Sequence, residues 1–292
     1  MLHALLTLMA IAQTAPVSPA RQAMDDLLAA DRAFASASAK APDLIAGLSP
    51  MFADDVAMPI AGGAFSATKA EAIEAMRTNP DNLKDKAHWI PIRGGISADG
   101  LHGFTFGFMT VRRSDNTEIA VKYLAYWVKE PEGWRVSVYR RRPRGAGAVA
   151  AEPMPPSLPP QMMPARTDAA AVESARDSLA QAENAFSTDA QSMGLAAAFT
   201  KWGRADAVNM GPPDAAGFIV GAAAIGQSVG AGTPTTSSPV SWSPDRVIVA
   251  SSGDLGVTLG LIRSNDGKGA PVPFFTIWRR DNAKAPWRYI AE

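Results

Sequence analysis

Cysteine is absent from this 292-residue chain. That excludes disulfides, thiolate nucleophiles, cysteine-based zinc sites and a lipid anchor on cysteine. Net charge is absent as well: 28 basic residues balance 28 acidic ones, so nothing in the overall electrostatics favours nucleic acid or a membrane surface as a partner. Histidine is scarce, with only His3, His88 and His102. No two of them have a metal-binding helical spacing and no third ligand is evident, so neither a metal site nor a cofactor is expected. Gly221, Gly226, Gly230 and Gly232 match neither a dinucleotide fingerprint nor a phosphate loop, and no Gly-x-Ser-x-Gly elbow occurs. No apolar run is long enough to span a bilayer. The run Met1 to Ala12, with a small-x-small pattern at Ala10-Ile11-Ala12, predicts instead a secretory leader over residues 1–15 and a periplasmic or secreted protein, although no Lys or Arg precedes it.

What is present is a repeat. Gly100-Leu101-His102-Gly103-Phe104-Thr105-Phe106-Gly107 returns as Gly253-Asp254-Leu255-Gly256-Val257-Thr258-Leu259-Gly260, and Trp127 with Trp134-Arg135 returns as Trp278 with Trp287-Arg288. The offset stays between 151 and 153 residues, which predicts two similar domains over 22–143 and 168–292. Between them, residues 144–167 are rich in proline and glycine, the composition of a semi-extended spacer. Arg140, Arg141, Arg142 and Arg144 precede this spacer. They read as a solvated domain edge, with an anion contact as the sharper alternative.

In each half, helical periodicity precedes strand patterning. Met24, Leu27, Leu28, Asp31 and Phe34 lie on one helical stripe, Leu44 to Met51 forms a second helix, and Thr68 with Glu71 makes a capping box for a third. Strands are predicted at 56–58, 88–97, 101–113, 117–129 and 133–142, with hairpin turns such as Ser114-Asp115-Asn116. The second half predicts helices at about 169–191, 195–202 and 222–229, a strand at 206–210, and four further strands. Three helices followed by long antiparallel strands, twice over, is an α+β class.

Phe52-Ala53-Asp54-Asp55-Val56 with Pro59 after it, the closing Trp-Arg hairpins, and the run Ser252 to Thr258 carry a resemblance to the nuclear transport factor 2-like superfamily, which includes ketosteroid isomerase and the SnoaL-type cyclases. The resemblance implies two tandem cone-shaped domains, each with three N-terminal helices packed on a strongly curved antiparallel sheet. Members often pair through the outer sheet face, so domain 1 and domain 2 are expected to form an intramolecular pseudo-dimer. Ketosteroid isomerase chemistry needs an Asp base, a Tyr and a protonated Asp. The corresponding positions here are Met58, Phe34 and about Ala125 in the first half, and Asn209 or Met210, Phe186 and Thr276 in the second. Neither copy carries that proton-transfer set.

Period-2 alternation places Tyr123, Ala125 and Trp127 on one strand face, matched by Phe274, Thr276 and Trp278. With Phe34, Met58, His102, Phe186 and Asn209 they form the candidate pocket for a small apolar or aromatic molecule; the plainer reading is that they fill the core. Two alternatives stand beside ligand binding. One is an isomerase, cyclase or dehydratase with a single active site in the first half, using His102, Asp54, Tyr123 and Tyr126. The other is a structural module. Asp54 and Asp55 point to opposite faces of a strand and read as ligands of turn amides. Gly103, Thr105 and Gly107 make a small-residue face that admits either a close backbone layer or a ligand.

Overall fold

The computed structural model describes residues 17–292. The expected leader over residues 1–15 lies outside the described residues. Helix α1 (Pro19–Ser38) starts with Pro19 in its first turn and Ser18 Oγ accepting from Arg21 N, and it buries Met24, Leu27, Asp31 and Ala35. Helix α2 (Leu44–Leu48), strand β1 (Phe52–Ala57), the small hairpin β2 (Pro59–Ile60) and β3 (Ala64–Phe65), and α3 (Lys69–Arg77) follow. Four long strands complete the half: β4 (Lys86–Ile96), β5 (His102–Arg112), β6 (Glu118–Glu130) and β7 (Gly133–Pro143). Their sheet runs β1-β7-β6-β5-β4; β1 and β7 are parallel and the other neighbours antiparallel.

The second half begins with α4 (Ala169–Trp202), β8 (Gly203–Asn209), β9 (Ile219–Val220) and α5 (Ala222–Val229). It continues as β10 (Val240–Val249), β11 (Leu255–Ser264), β12 (Val272–Arg279) and β13 (Arg288–Ala291). Its sheet runs β9-β8-β13-β12-β11-β10, again with its first strand, β8, parallel to its last, β13. The fold is therefore mixed α+β. The helices expected at 169–191 and 195–202 meet end to end at Gly194, whose non-helical backbone, with a φ of 77° that only glycine adopts readily, separates them within α4. Strand β1 starts at Phe52, four residues before the expected strand.

The core has three parts. One lies between α1, α2, α3 and the inner face of the first sheet, around Met24, Leu27, Met51, Tyr123 and Trp127. Another lies between α4, α5 and the inner face of the second sheet, around Leu179, Phe186, Trp242 and Trp278. The third joins the outer faces: Phe104, Phe106, Leu124 and Tyr126 from the first sheet pack with Leu255, Val257, Leu259, Phe275 and Ile277 from the second. The small-residue face serves helix packing. A Cβ on Gly103 would strike Leu27 of α1, and one on Gly256 would lie 2.5 Å from Leu179 of α4.

Polar contacts frame that apolar seam. Asp55 accepts from Arg246 at 2.5 Å, and Arg93 donates to both the carboxylate and the backbone carbonyl of Asp206. Asp55 therefore meets an arginine of the opposite half rather than the turn amides expected, and Asp54 stays exposed. Asp99 accepts from Ser251 Oγ at 2.8 Å and Ser252 N at 3.0 Å, while Asp254 accepts from Ala98 N at 3.0 Å. Buried Arg279 pairs with Asp254 at 3.3 Å and donates to the Ile96 carbonyl at 2.6 Å.

The proline-rich connection is extended, as its composition predicts, yet it does not hang free. Met154 N donates to Ile92 O at 2.7 Å, Ser157 N to Gly94 O at 2.9 Å, Ile96 N to Ser157 O at 3.1 Å, and Met163 N to Ala98 O at 2.9 Å. Prolines remove every second or third donor, but the residues between them still pair with the open edge of β4.

Candidate functional site

Each sheet holds a buried acid under its first helix. In the second half, Glu183 on α4 accepts from Trp242 Nε1 at 2.6 Å, Thr258 Oγ1 at 2.5 Å and Trp278 Nε1 at 3.0 Å. In the first half, Asp31 on α1 accepts from Trp89 Nε1 at 2.5 Å and Tyr123 Oη at 2.8 Å, with Trp127 Nε1 on Thr105 Oγ1 at 2.8 Å beside it. Asp31 and Glu183, Trp89 and Trp242, Thr105 and Thr258, and Trp127 and Trp278 occupy matching places one repeat apart. The two halves therefore share a buried polar set, although not the proton-transfer set of ketosteroid isomerase. Burial pushes Glu183 up to about 7, against the pull of its three hydrogen bonds. It raises Asp31 as well, opposed by Trp89, Thr105 and Tyr123.

Trp242, a donor to Glu183, also lines a cavity of about 240 Å³. Phe186, Phe199, Trp242, Phe274 and Ile262 form most of its apolar wall, with Leu195 and Val240. Phe186 is the centre of the aromatic cluster: it meets Phe199 at 4.8 Å and Trp242 at 5.0 Å edge-on, and stacks on Tyr289 at 5.8 Å between ring centroids. The polar wall is Asn209, Thr276 and Glu292. Glu292 accepts from Asn209 Nδ2 at 3.0 Å and from Thr276 Oγ1 at 3.3 Å. Its main chain is fixed to β8, receiving from Met210 N at 2.9 Å and donating to Val208 O at 3.0 Å. Burial, reinforced by the nearby Glu183 carboxyl, pushes Glu292 up to about 8. At neutral pH it is a protonated acid inside an apolar cavity, able to donate or accept a proton at its carboxyl oxygens. Arg140 and Arg142 of β7 complete the lining from the first half.

Of the residues expected to form a pocket, Phe186, Asn209, Phe274 and Thr276 meet around this cavity. Trp278 lies beneath it as a donor to Glu183. The first-half residues are not gathered around an equivalent space. Tyr123 and Trp127 are fully buried in the core, and Phe34 stacks on Trp127 at 6.0 Å. Met58 is part of the same core and also reaches the rim of a more polar opening of about 470 Å³, together with Asn82, Arg140, Arg141 and Arg142. His102 points to the outer face, 3.0 Å from Tyr126 Oη, and burial lowers its pKa. The four residues considered for a first-half active site therefore do not converge. Tyr123 is inside with Asp31, Tyr126 and His102 are on the seam side, and Asp54 is in solvent. The arginines are not a solvated edge either, since Arg140 and Arg142 line cavities and Arg141 donates to Asn82 Oδ1 at 3.3 Å.

No family model and no curated protein matches the chain. Solved structures similar to it carry NTF2-like, cystatin-like or ketosteroid isomerase-like folds, each over part of its length. A ketosteroid isomerase-like protein from Erwinia carotovora atroseptica is 16% identical over 41% of this chain and 95% of its own, with a TM-score of 0.32. An NTF-2 like protein of unknown function from Shewanella oneidensis is 12% identical over 40% of this chain and 96% of its own, at 0.32. An NTF2-like protein with a cystatin-like fold from Novosphingobium aromaticivorans is 17% identical over 42% of this chain and 80% of its own, at 0.30.

Proposed function

We propose that this protein is a tandem pair of nuclear transport factor 2-like units, joined through their outer sheet faces, whose second unit binds a small, mostly apolar molecule. The observation that carries this reading is the cavity around Phe186: an aromatic wall with a polar corner, Asn209–Glu292–Thr276, and two arginines, Arg140 and Arg142, closing the lining. Convergent polar groups in an otherwise apolar concavity are the usual form of a small-molecule site. Its volume of about 240 Å³ equals roughly eight waters of liquid, a space for one ring and its substituents. The pairing of units is supported by the reciprocal contacts, Asp55 with Arg246 and Asp206 with Arg93, as a two-fold exchange of equivalent residues requires.

A second reading is favoured by one feature. Glu292, with its pKa near neutrality and its carboxyl in the cavity, has the properties of a general acid or base. That reading moves any proton-transfer chemistry from the first half to the second.

Calorimetric titration of the full chain with p-cresol and indole tests the binding function. One molecule per chain is expected, and binding should disappear in Ile262→Trp. Ile262 is a half-buried wall residue at the edge of the second-half core, and its enlargement takes up cavity space. Absence of binding by either probe, or unchanged binding in the filled variant, would refute the reading.

A further inference from the structure

We propose that the cavity ligand is a small ring carboxylate whose anionic group is held by Arg140 and Arg142, so that the first half supplies the charge recognition for a site built in the second. This rests on the binding function proposed for the cavity. Arg140 and Arg142 stand two residues apart on β7, opposite Leu124 and Lys122 of β6, and so project from the same sheet face toward the second half. Both line the cavity with Phe186, Phe274 and Glu292. Neither forms an ion pair among the described residues. Arg142 Nη1 donates to the Gly211 carbonyl at 3.1 Å, and the Arg140 side chain has no hydrogen-bond partner among the described residues. The one charge acting appreciably on Arg140 is Arg142 itself, which together with burial lowers its pKa. Two guanidinium groups are therefore drawn partly out of water without a protein anion to offset them, an unfavourable arrangement that a bound carboxylate relieves.

The rest of the cavity agrees with an anion. Its one lining side-chain carboxyl, Glu292, is pushed up to about 8 by burial and the nearby Glu183, so near pH 6.5 that carboxyl presents a hydrogen-bond donor. Lys122 stays close by and donates to the carbonyls of Ala215 at 2.8 Å and Gly217 at 3.0 Å, which ties down the loop after Met210. The aromatic wall sets the other end of the ligand: Phe186, Phe199, Trp242 and Phe274 present ring faces and edges suited to a single ring.

The test compares benzoate, its neutral isostere benzamide, and inorganic phosphate on the full chain near pH 6.5 at low salt. Benzoate should bind one per chain at least tenfold more tightly than benzamide. Arg140→Gln should cost benzoate far more than benzamide and bring the two affinities close together, while Arg140→Lys should recover part of the difference. That rescue separates loss of charge from loss of folding, as does benzamide binding by each variant. Equal affinity for benzoate and benzamide would overturn the anion assignment while the cavity function stands. Benzoate binding unaffected by Arg140→Gln and Arg142→Gln would overturn it also. Phosphate competing with benzoate, with both lost in Arg141→Gln, would instead place the anion at the first-half opening beside Asn82. Failure of both benzoate and benzamide to bind would refute the cavity function, and the anion assignment with it.

Discussion

Replacing Glu292 by glutamine should change how stability depends on pH, by an amount set by proton counting. In the unfolded chain this carboxyl loses its proton near the usual glutamate value of 4.5, whereas in the fold burial and Glu183 hold it up to about 8. Between those limits the folded state binds one proton more than the unfolded state. Stability contributed by this group is therefore present in acid and lost as pH rises through the window. Each such proton corresponds to about 1.4 kcal/mol per pH unit. Glutamine keeps the shape and the contacts to Asn209 and Thr276 but cannot ionise. Urea unfolding of both proteins between about pH 5 and 7 should give wild-type stability that falls relative to Glu292→Gln by about 2–3 kcal/mol over the two units. His102, whose pKa burial lowers, and Asp31, whose pKa burial raises, act in both proteins and cancel in the difference; Glu183, the carboxyl that acts on Glu292, titrates in both proteins and shifts the size of the difference but not its sign. Parallel curves, or a difference that grows in the opposite direction, would show that Glu292 is solvated or already ionised, and the description of Glu292 as a buried, protonated acid would fall.

Phe106 is fully buried in the seam, 4.7 Å between ring centroids from Phe218 of the other half. Phe106→Ala should cost about 3–5 kcal/mol in denaturant unfolding, and a loss below about 1 kcal/mol would mean that the seam can collapse around the gap. Gly256→Val should destabilise by roughly 1–3 kcal/mol, because the new side chain meets Leu179 at 2.5 Å and the Ile248 carbonyl at 2.8 Å; a neutral result would show α4 free to move outward. The two reciprocal ion pairs should differ despite equivalent positions. Arg246 is 37% exposed and its partner Asp55 63%, whereas the Arg93 side chain is 3% exposed. Arg246→Met should therefore cost under about 1 kcal/mol and Arg93→Met more, since the latter takes a buried donor from the carbonyls of Asp206 and Pro155 and leaves the half-exposed Asp206 carboxylate with Arg204 alone; equal losses in thermal unfolding would contradict this.

Much of the scaffold was legible because it rests on local signals. The four long strands of the first half lie within about two residues of their expected bounds, since hairpin turns such as Asp115-Asn116 mark them directly and Asn116 adopts a φ of 66°. The buried acids were half legible. Asp31 falls on the apolar stripe of α1, and a carboxylate among core positions is itself the signal, yet only the tryptophans and threonine brought from distant strands explain it. Glu292 gave no signal at all. A register shift in the pairing of β13 breaks the two-residue alternation, so that Ile290 and Ala291 both belong to the seam and Glu292 then turns to the cavity. The contribution of Arg140 and Arg142 was equally hidden, because period-2 reasoning assigns a face and not what the other half places against it.

The docked connection between the halves bears on how the chain is made. Residues 154–163 emerge from synthesis directly after the first sheet, before any of the second half exists, and their backbone can occupy the β4 edge at once. A half-made chain then presents no open strand on that side for another nascent chain to extend, and the prolines keep the covering segment from offering a full ladder of its own. Lengthening this segment with glycine and serine would leave the finished fold tethered but expose that edge during synthesis. Its signature would be a lower yield of soluble protein with little change in the unfolding midpoint of the molecules that do fold.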